Sequence, residues 1–340
     1  MKVDGTVGFN LKNMASVVAD AEATGYAGLW VAETSHDPFV SLALAAPHAN
    51  RCDLGTAIAV AFARNPMTTA MAANDLQLAA NGRFLLGLGS QIKPHIERRF
   101  SMPWSHPAPR MREFILAMRA IWDCWNNDTK LDFRGQYYTH TLMTPFFNPG
   151  PNQFGPPKVF LAAVGEQMTE VAGEVADGLL VHAFTTERYL REVTLPALDR
   201  GFAKAGKTRA DVELSYPGFV VTGDDDEQID AAASFVRQQI AFYGSTPAYR
   251  GVLERHGWGD LHPELNRMSK LGAWTEMASL VDDEMLNTFA VVASPEDLGP
   301  KVLERFGGLV DRFSFYAQFG MEESRMRGML AGFGLERATS

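Results

Sequence analysis

Two cysteines in 340 residues, Cys52 and Cys124, are too few for a disulfide framework or a cysteine metal cluster. No G-x-G-x-x-G stands among the glycine turns, because Gly87 and Gly89 are followed by Ile92 where a third glycine would be needed. No Gly-Lys-Ser/Thr follows either, so the phosphate loop of ATP- and GTP-binding folds is missing with the dinucleotide fingerprint. H-E-x-x-H, the nucleophile elbow and paired-carboxylate motifs are absent, which disfavours zinc hydrolysis and serine chemistry; no metal site is expected. Basic residues are in the minority, 31 against 40 acidic, and a formal charge of −9 excludes a general nucleic-acid binder. No run of about 18 apolar residues could span a bilayer, and none follows Met1-Lys2 as a leader would. The expectation is a cytoplasmic protein with a small-molecule substrate and no nucleic-acid or membrane partner.

What the chain does contain is alternation. At 46 % hydrophobic it can bury a large core, and short apolar runs alternate with longer amphipathic stretches, as parallel βα units require. Strands are expected at 3–9, 28–33, 54–61, 83–88, 158–163, 178–183, 213–221 and 312–316. Helices are expected at 11–24, 39–50, 66–80, 109–125, 166–175, 186–205, 225–242 and 294–306. Eight strands in one unbroken alternation fit a closed (β/α)8 TIM barrel over residues 1–340 as a single domain. Three segments, near 95–110, 128–157 and 244–288, are excursions from it. Cys124, in Ala-Ile-Trp-Asp-Cys-Trp, reads as a helix core residue.

Barrels of this kind collect function at the C-terminal ends of their strands. The second strand ends in Glu33-Thr-Ser-His36-Asp37-Pro38, where a histidine titrating near neutrality could donate or accept a proton. The bland alternative is a loop histidine. The third ends before Arg64, suited to an anionic tail or to a surface position. The fourth runs into Gly89-Ser90-Gln91-Ile-Lys93, whose amides and ammonium could meet an anion, with glycines that would let the backbone pass close to a flat or phosphorylated group. The fifth ends in Ala163-Val164-Gly165-Glu166, where free N–H groups at a helix start favour negative charge, although tight packing needs the same small residues. The sixth places His182 at the same height. The remaining histidines are read as structural, with His95 the one that could reach the site.

Together these segments resemble the luciferase-like monooxygenase superfamily and, within it, the branch that uses the deazaflavin coenzyme F420. The carrying stretches are Gly25-Tyr-Ala-Gly-Leu-Trp-Val-Ala-Glu33, Leu54-Gly-Thr-Ala-Ile-Ala-Val60, Arg64-Asn-Pro66 and Asn74-Asp-Leu-Gln77. To them add Gly82-Arg-Phe-Leu-Leu-Gly-Leu-Gly89, 159–165 and Ala176-Asp-Gly-Leu-Leu180. The resemblance implies a flavin-type ring over the C-terminal strand ends, backed by a non-proline cis peptide near Ala57-Ile58 or a residue later. It implies that Gly89, Ser90 and Gln91 border the cofactor's side chain and that Ala163, Val164, Gly165 and Glu166 take its phosphate. His36 would be the acid or base, with Glu33 or Asp37 setting its tautomer, and His182 and Asp37 would face substrate. Arg64, Lys93, Arg98 and Arg99 are candidates for the acidic tail, and a dimer through helices beside strands two and three is implied.

One departure narrows the substrate. Where sugar-phosphate dehydrogenases of the family carry Gly-Thr-Gly-Glu, this chain has Gly-Ser-Gln-Ile, and the expected lysines after the sixth strand are replaced by Ala183-Phe-Thr-Thr. A sugar phosphate is therefore not expected, and Trp104, Phe146, Phe147 and Trp258 suit a less polar molecule. The expected activity is F420-dependent hydride transfer to or from an organic substrate. The alternatives are an FMN-dependent two-component monooxygenase, which would consume oxygen, and a barrel that binds such a cofactor without turnover.

Overall fold

Runs of apolar residues separated by chain-reversing helices can pair only in parallel, and they must be covered on both faces. The computed structural model of the chain describes residues 1–7, 11–316 and 323–333. Its ring of strands is β1 (Lys2–Thr6), β2 (Gly28–Val31), β3 (Asp53–Thr56), β4 (Phe84–Gly89), β5 (Lys158–Ala163), β6 (Gly178–Val181), β7 (Glu213–Val221) and β8 (Arg312–Tyr316). Each pairs in parallel with the next, and β8 closes onto β1 through Lys2–Arg312, Val3–Phe313 and Asp4–Ser314. The fold is thus the closed eight-stranded α/β barrel that the alternation predicts.

Three details depart from the sequence reading. The strand expected to reach Phe9 ends at Thr6, and Phe9 itself lies outside the described residues. The strand expected over 54–61 is broken: Gly55 pairs with Leu85 and Ala59 with Leu88, so one side advances four residues while the other advances three. The extra residue is a bulge, and it turns the chain at Ala57-Ile58. A short strand not foreseen, Ala290–Val292, lies against the end of β7. Its three residues are too few to show a period.

Helix boundaries follow their caps. Helix α1 (Met14–Thr24) stops at Gly25, whose φ of 102° belongs to the left-handed region. Asp37 caps α2 (Pro38–Ala45) and Asn65 caps α3 (Pro66–Ala79), each followed by proline where its missing N–H does no harm. The sequence continues with α4 (Pro107–Asn127), α5 (Glu166–Val175), α6 (Leu195–Ala205), α7 (Asp226–Gly244) and α8 (Pro295–Phe306). Cys124 is buried on α4 as expected.

The lower, N-terminal end of the barrel interior is charged. Arg312, fully buried, donates to both carboxylate oxygens of Asp4 at 2.7 and 2.9 Å and to Asp53 at 2.7 Å. The Trp30 indole N–H donates to Asp4 at 2.8 Å, so the carboxylate is fully engaged. Above this network Trp30, Leu85, Phe160 and Leu180 fill the barrel, with Ala57, Ile58 and Ala162 packed on them. That apolar plug is the floor of the upper end.

The excursions are ordered by the barrel. Within 128–157 a hairpin, Phe133–Arg134 against Thr139–His140, lies along α4 and is held by Glu113, which accepts from the N–H groups of Gln136, Tyr137 and Tyr138. Residues 244–288 are mostly helical, including Arg250–Arg255, Leu261–Lys270 and Asp283–Phe289. They sit over the ends of β6, β7 and β8, where Phe289 stacks on Phe184 at 4.6 Å.

Candidate active site at the upper barrel mouth

The strand ends bring most of the expected positions to one rim. Its floor lies at the bulge of β3, where the peptide bond between Ala57 and Ile58 is cis, the position the resemblance implies. Ala57 N–H donates to Val31 and the Ile58 carbonyl accepts from Glu33 N–H, so the turn is pinned to the end of β2. The glycines of β4 serve this turn. A Cβ at Gly87 would run into the Thr56 carbonyl oxygen, and one at Gly89 would sit 2.7 Å from Ile58 Cδ1. The missing side chains of both glycines thus make room for the neighbouring strand and its turn. Thr56 Oγ1 completes the join, donating to the Gly87 carbonyl at 2.7 Å and accepting from its N–H at 2.9 Å.

On the β2 side, Glu33 and Asp37 do not stand free as partners for His36. Glu33, nearly buried, accepts from Val60 N–H at 2.8 Å and from Arg64 at 2.6 Å. Asp37 accepts from Phe39 N–H as the α2 cap and from Arg64 at 2.7 Å. Arg64 therefore bridges two carboxylates and stacks its guanidinium over Phe39 at 5.3 Å. It ties the β2 and β3 loops together through Nη1 and Nη2. His36 lies exposed on the bend between Glu33 and the α2 cap.

The β4 loop turns outward through Gln91, whose φ of 60° is left-handed, and its Oε1 accepts from Ile92 N–H. Ser90 Oγ donates to the Gln91 carbonyl. Lys93 is exposed, 3.8 Å from Glu97, and Arg98 and Arg99 are exposed on the turn that follows. At β5, Ala163 is buried while Val164 leads to Gly165, the N-cap of α5. No side chain caps that helix, and a Cβ built on Gly165 meets nothing within 4 Å. Glu166 turns away to Arg200, 2.7 Å from its guanidinium. An open, uncapped helix start with its amides free is a ready anion cradle.

Across the mouth stands an aromatic wall that the sequence reading touched only through His182. Leu180 is part of the floor, and its Cδ1 would lie 2.8 Å from a Cβ on Gly87. His182 follows two residues later, so it faces the same way one layer higher. Its Nδ1 accepts from Phe184 N–H at 3.0 Å and its Nε2 is 3.1 Å from the Tyr249 hydroxyl. Tyr249 stacks on its ring at 4.5 Å and Tyr243 meets it edge-on at 4.7 Å. Burial lowers the histidine pKa to about 4, so it is neutral near pH 7. Tyr243 in turn lies 2.9 Å from Tyr316, which donates to Gln239 at 3.1 Å. Tyr243 and Tyr249 sit at the end of α7 and in the third excursion, where aromatics carry no local signal that separates lining from packing.

The comparisons agree with this architecture. Residues 2–312 match the family described as luciferase-like monooxygenase. An uncharacterized protein of Mycobacterium tuberculosis is 56 % identical over 312 residues, 92 % of either chain. The 5,10-methylenetetrahydromethanopterin reductase of Archaeoglobus fulgidus is 27 % identical over 292 residues, 84 % of this chain and 83 % of the relative. Among solved structures, the coenzyme F420 dependent tetrahydromethanopterin reductase of Methanopyrus kandleri superposes with a TM-score of 0.78 at 19 % identity, covering 97 % of this chain and 96 % of that one. The chain belongs to the luciferase-like monooxygenase family and is an enzyme of the oxidoreductase class. Among the described residues no helix is long and apolar enough to cross a membrane, and no group of three metal-ligating side chains converges.

Proposed function

We propose that the protein is an F420-dependent oxidoreductase acting on an organic substrate that is not a sugar phosphate. The observation that carries the reading is the pairing, on one rim, of a small apolar floor at Ala57 and Ile58 with the open α5 start at Gly165. A planar ring and a phosphate attached to it need such a pair, and Gly165 has the room that a phosphate would fill. The F420 dependence of the Methanopyrus reductase supports the deazaflavin, and the riboflavin lyase of the same fold, solved with modified FMN, keeps FMN as the alternative.

When bound, the deazaflavin supplies hydride chemistry at its C5. Ala57 and Ile58 would back the ring, Gly89, Ser90 and Gln91 would border the cofactor's side chain, and Ala163, Val164, Gly165 and Glu166 would surround the phosphate. Lys93, Arg98 and Arg99 would meet the acidic tail, with Arg64 acting indirectly by fixing Glu33 and Asp37. His36, next to that fixed pair, would hold or release the proton that accompanies the hydride, and His182 would face the substrate. The exposed apolar side chains Val40, Leu44, Met71 and Leu78 lie on α2 and α3, the face through which a homodimer would form; Met71→Asp should then yield monomers in light scattering.

Tryptophan-fluorescence titration with the deazaflavin and, separately, with FMN tests the cofactor. Micromolar or tighter quenching by the deazaflavin alone supports the reading. Preference for FMN moves the protein to oxygen-dependent chemistry with a partner reductase, and quenching by neither removes the assignment. His36→Ala should leave that affinity nearly intact while turnover falls about 10²-fold; unchanged turnover removes His36 from the mechanism.

A further inference from the structure

Hydrogen-bond capacity at the aromatic wall is divided unequally between two tyrosines that touch the same histidine. Gln239 Oε1 can only accept, so Tyr316 donates to it and Tyr243 donates to Tyr316. The Tyr243 proton is thereby committed. Tyr249 differs. Because His182 Nδ1 accepts from Phe184 N–H, its lone pair lies there, and the neutral ring carries its hydrogen on Nε2. That Nε2–H donates to Tyr249 Oη across 3.1 Å. Tyr249 is then an acceptor toward His182, and its own O–H must be given to something else. Among the described residues no acceptor for it is found within hydrogen-bond distance.

Two hydroxyls that follow strand ends, one after β6 and one after β7, are buried with no partner among the described residues. They are Thr185, three residues after His182, and Thr222, at the end of β7, 4 % and 5 % exposed. Buried polar groups are ordinarily satisfied, and leaving one without a partner is unfavourable. Unspent donors beyond the strand ends are groups that a ligand at the barrel mouth could engage.

We propose that Tyr249, oriented by His182, is the hydrogen-bond donor to the substrate, and that it selects a molecule with a carbonyl or imine acceptor on an apolar, ring-bearing body. This rests on the oxidoreductase reading and adds the substrate class to it. The wall supplies the ring contact: Tyr249, Tyr243 and Phe184 lie within 6.3 Å of one another, centroid to centroid. No bond to Tyr249 is made or broken. Its O–H polarises the acceptor, and the hydrogen bond strengthens as negative charge gathers there when the adjoining carbon is reduced. His182 acts on the reaction through Tyr249, whose hydroxyl it orients; it is a positioning residue.

The test uses the full-length protein, with and without bound deazaflavin, and carbonyl-13C acetophenone as probe. Infrared difference spectra should show the bound carbonyl stretch at lower frequency than in water-free apolar solvent, and Tyr249→Phe should abolish that shift and weaken binding about tenfold. Long-range 1H–15N NMR at pH 7 should find the His182 proton on Nε2 in both proteins, which also shows that the variant keeps its fold. A shift that survives in Tyr249→Phe, a wild-type spectrum with no shift, or a proton on Nδ1 overturns the proposal. Failure of the deazaflavin to bind counts against the functional reading alone, since the probe and the tautomer are read without it as well.

Discussion

The two ends of the barrel interior are both polar, yet they are finished to different degrees. At the lower end Arg312, Asp4, Asp53 and the Trp30 indole satisfy one another, and fully buried Arg312 and Asp4 reach no solvent. At the upper end Tyr249 has an unspent proton, Thr185 and Thr222 are buried without partners, and the α5 start is uncapped. A self-satisfied network holds a fold together and offers a ligand nothing. Groups with capacity left over cost stability and repay it only when something binds. The contrast separates structure from function inside one ring of strands, and substitutions can break it from either side.

The largest effect is expected where the two ends are joined. Gly87→Ala would place a methyl on the Thr56 carbonyl oxygen, which is backbone and cannot swing aside. A loss of about 5 kcal/mol or more is expected, enough to prevent folding in an ordinary domain. Soluble, barrel-like circular dichroism with an unchanged melting temperature would show that the strands can part there. Next comes the lower network. Arg312→Met leaves Asp4 buried without its cation and should cost about 3–5 kcal/mol in denaturant unfolding, while adding Asp4→Leu should recover much of that loss. Equal losses in the single and double variants would mean that packing, not the uncompensated charge, sets the cost.

Acid should act on the upper end. Burial holds the His182 pKa at about 4, below the ordinary histidine value of 6.5. Between those values the unfolded chain binds a proton that the folded one refuses. The stability this contributes is complete above the unfolded value and is lost as pH falls through the window, about 3 kcal/mol in all. Urea unfolding from pH 7 to 4 should therefore show a steeper decline in the wild type than in His182→Gln. Parallel declines would place the acid sensitivity elsewhere.

Much of this was legible beforehand because it rests on local chemistry. The ring of eight strands follows from apolar runs, and the starts of α3 and α8 fall within a residue of the expected 66 and 294. What was not legible depends on who meets whom across the barrel. That Gly87 yields to Thr56 requires the bulge in β3, a mismatch of one residue that no single strand shows. That Arg64 joins Glu33 and Asp37 requires two loops to meet. Tyr249 comes from a helical excursion with no βα period, and its difference from Tyr243 lies wholly in hydrogen-bond direction, which sequence does not carry.

The smallest expected change tests the same division at the rim. Lys93 and Glu97 form an exposed i,i+4 pair at 3.8 Å, 62 % and 41 % accessible. Such pairs contribute about 0.5 kcal/mol at most, so Lys93→Ala should leave the melting temperature within error. If the ammonium meets the acidic tail of the cofactor, the same substitution should weaken deazaflavin binding several-fold at low salt. That loss should shrink as ionic strength rises, because charges exposed to solvent are screened beyond about 10 Å at 0.1 M. A binding loss with no stability loss puts Lys93 with Tyr249 among the groups held in reserve for a ligand. A stability loss without a binding loss would put it with Arg312, among those the fold uses for itself.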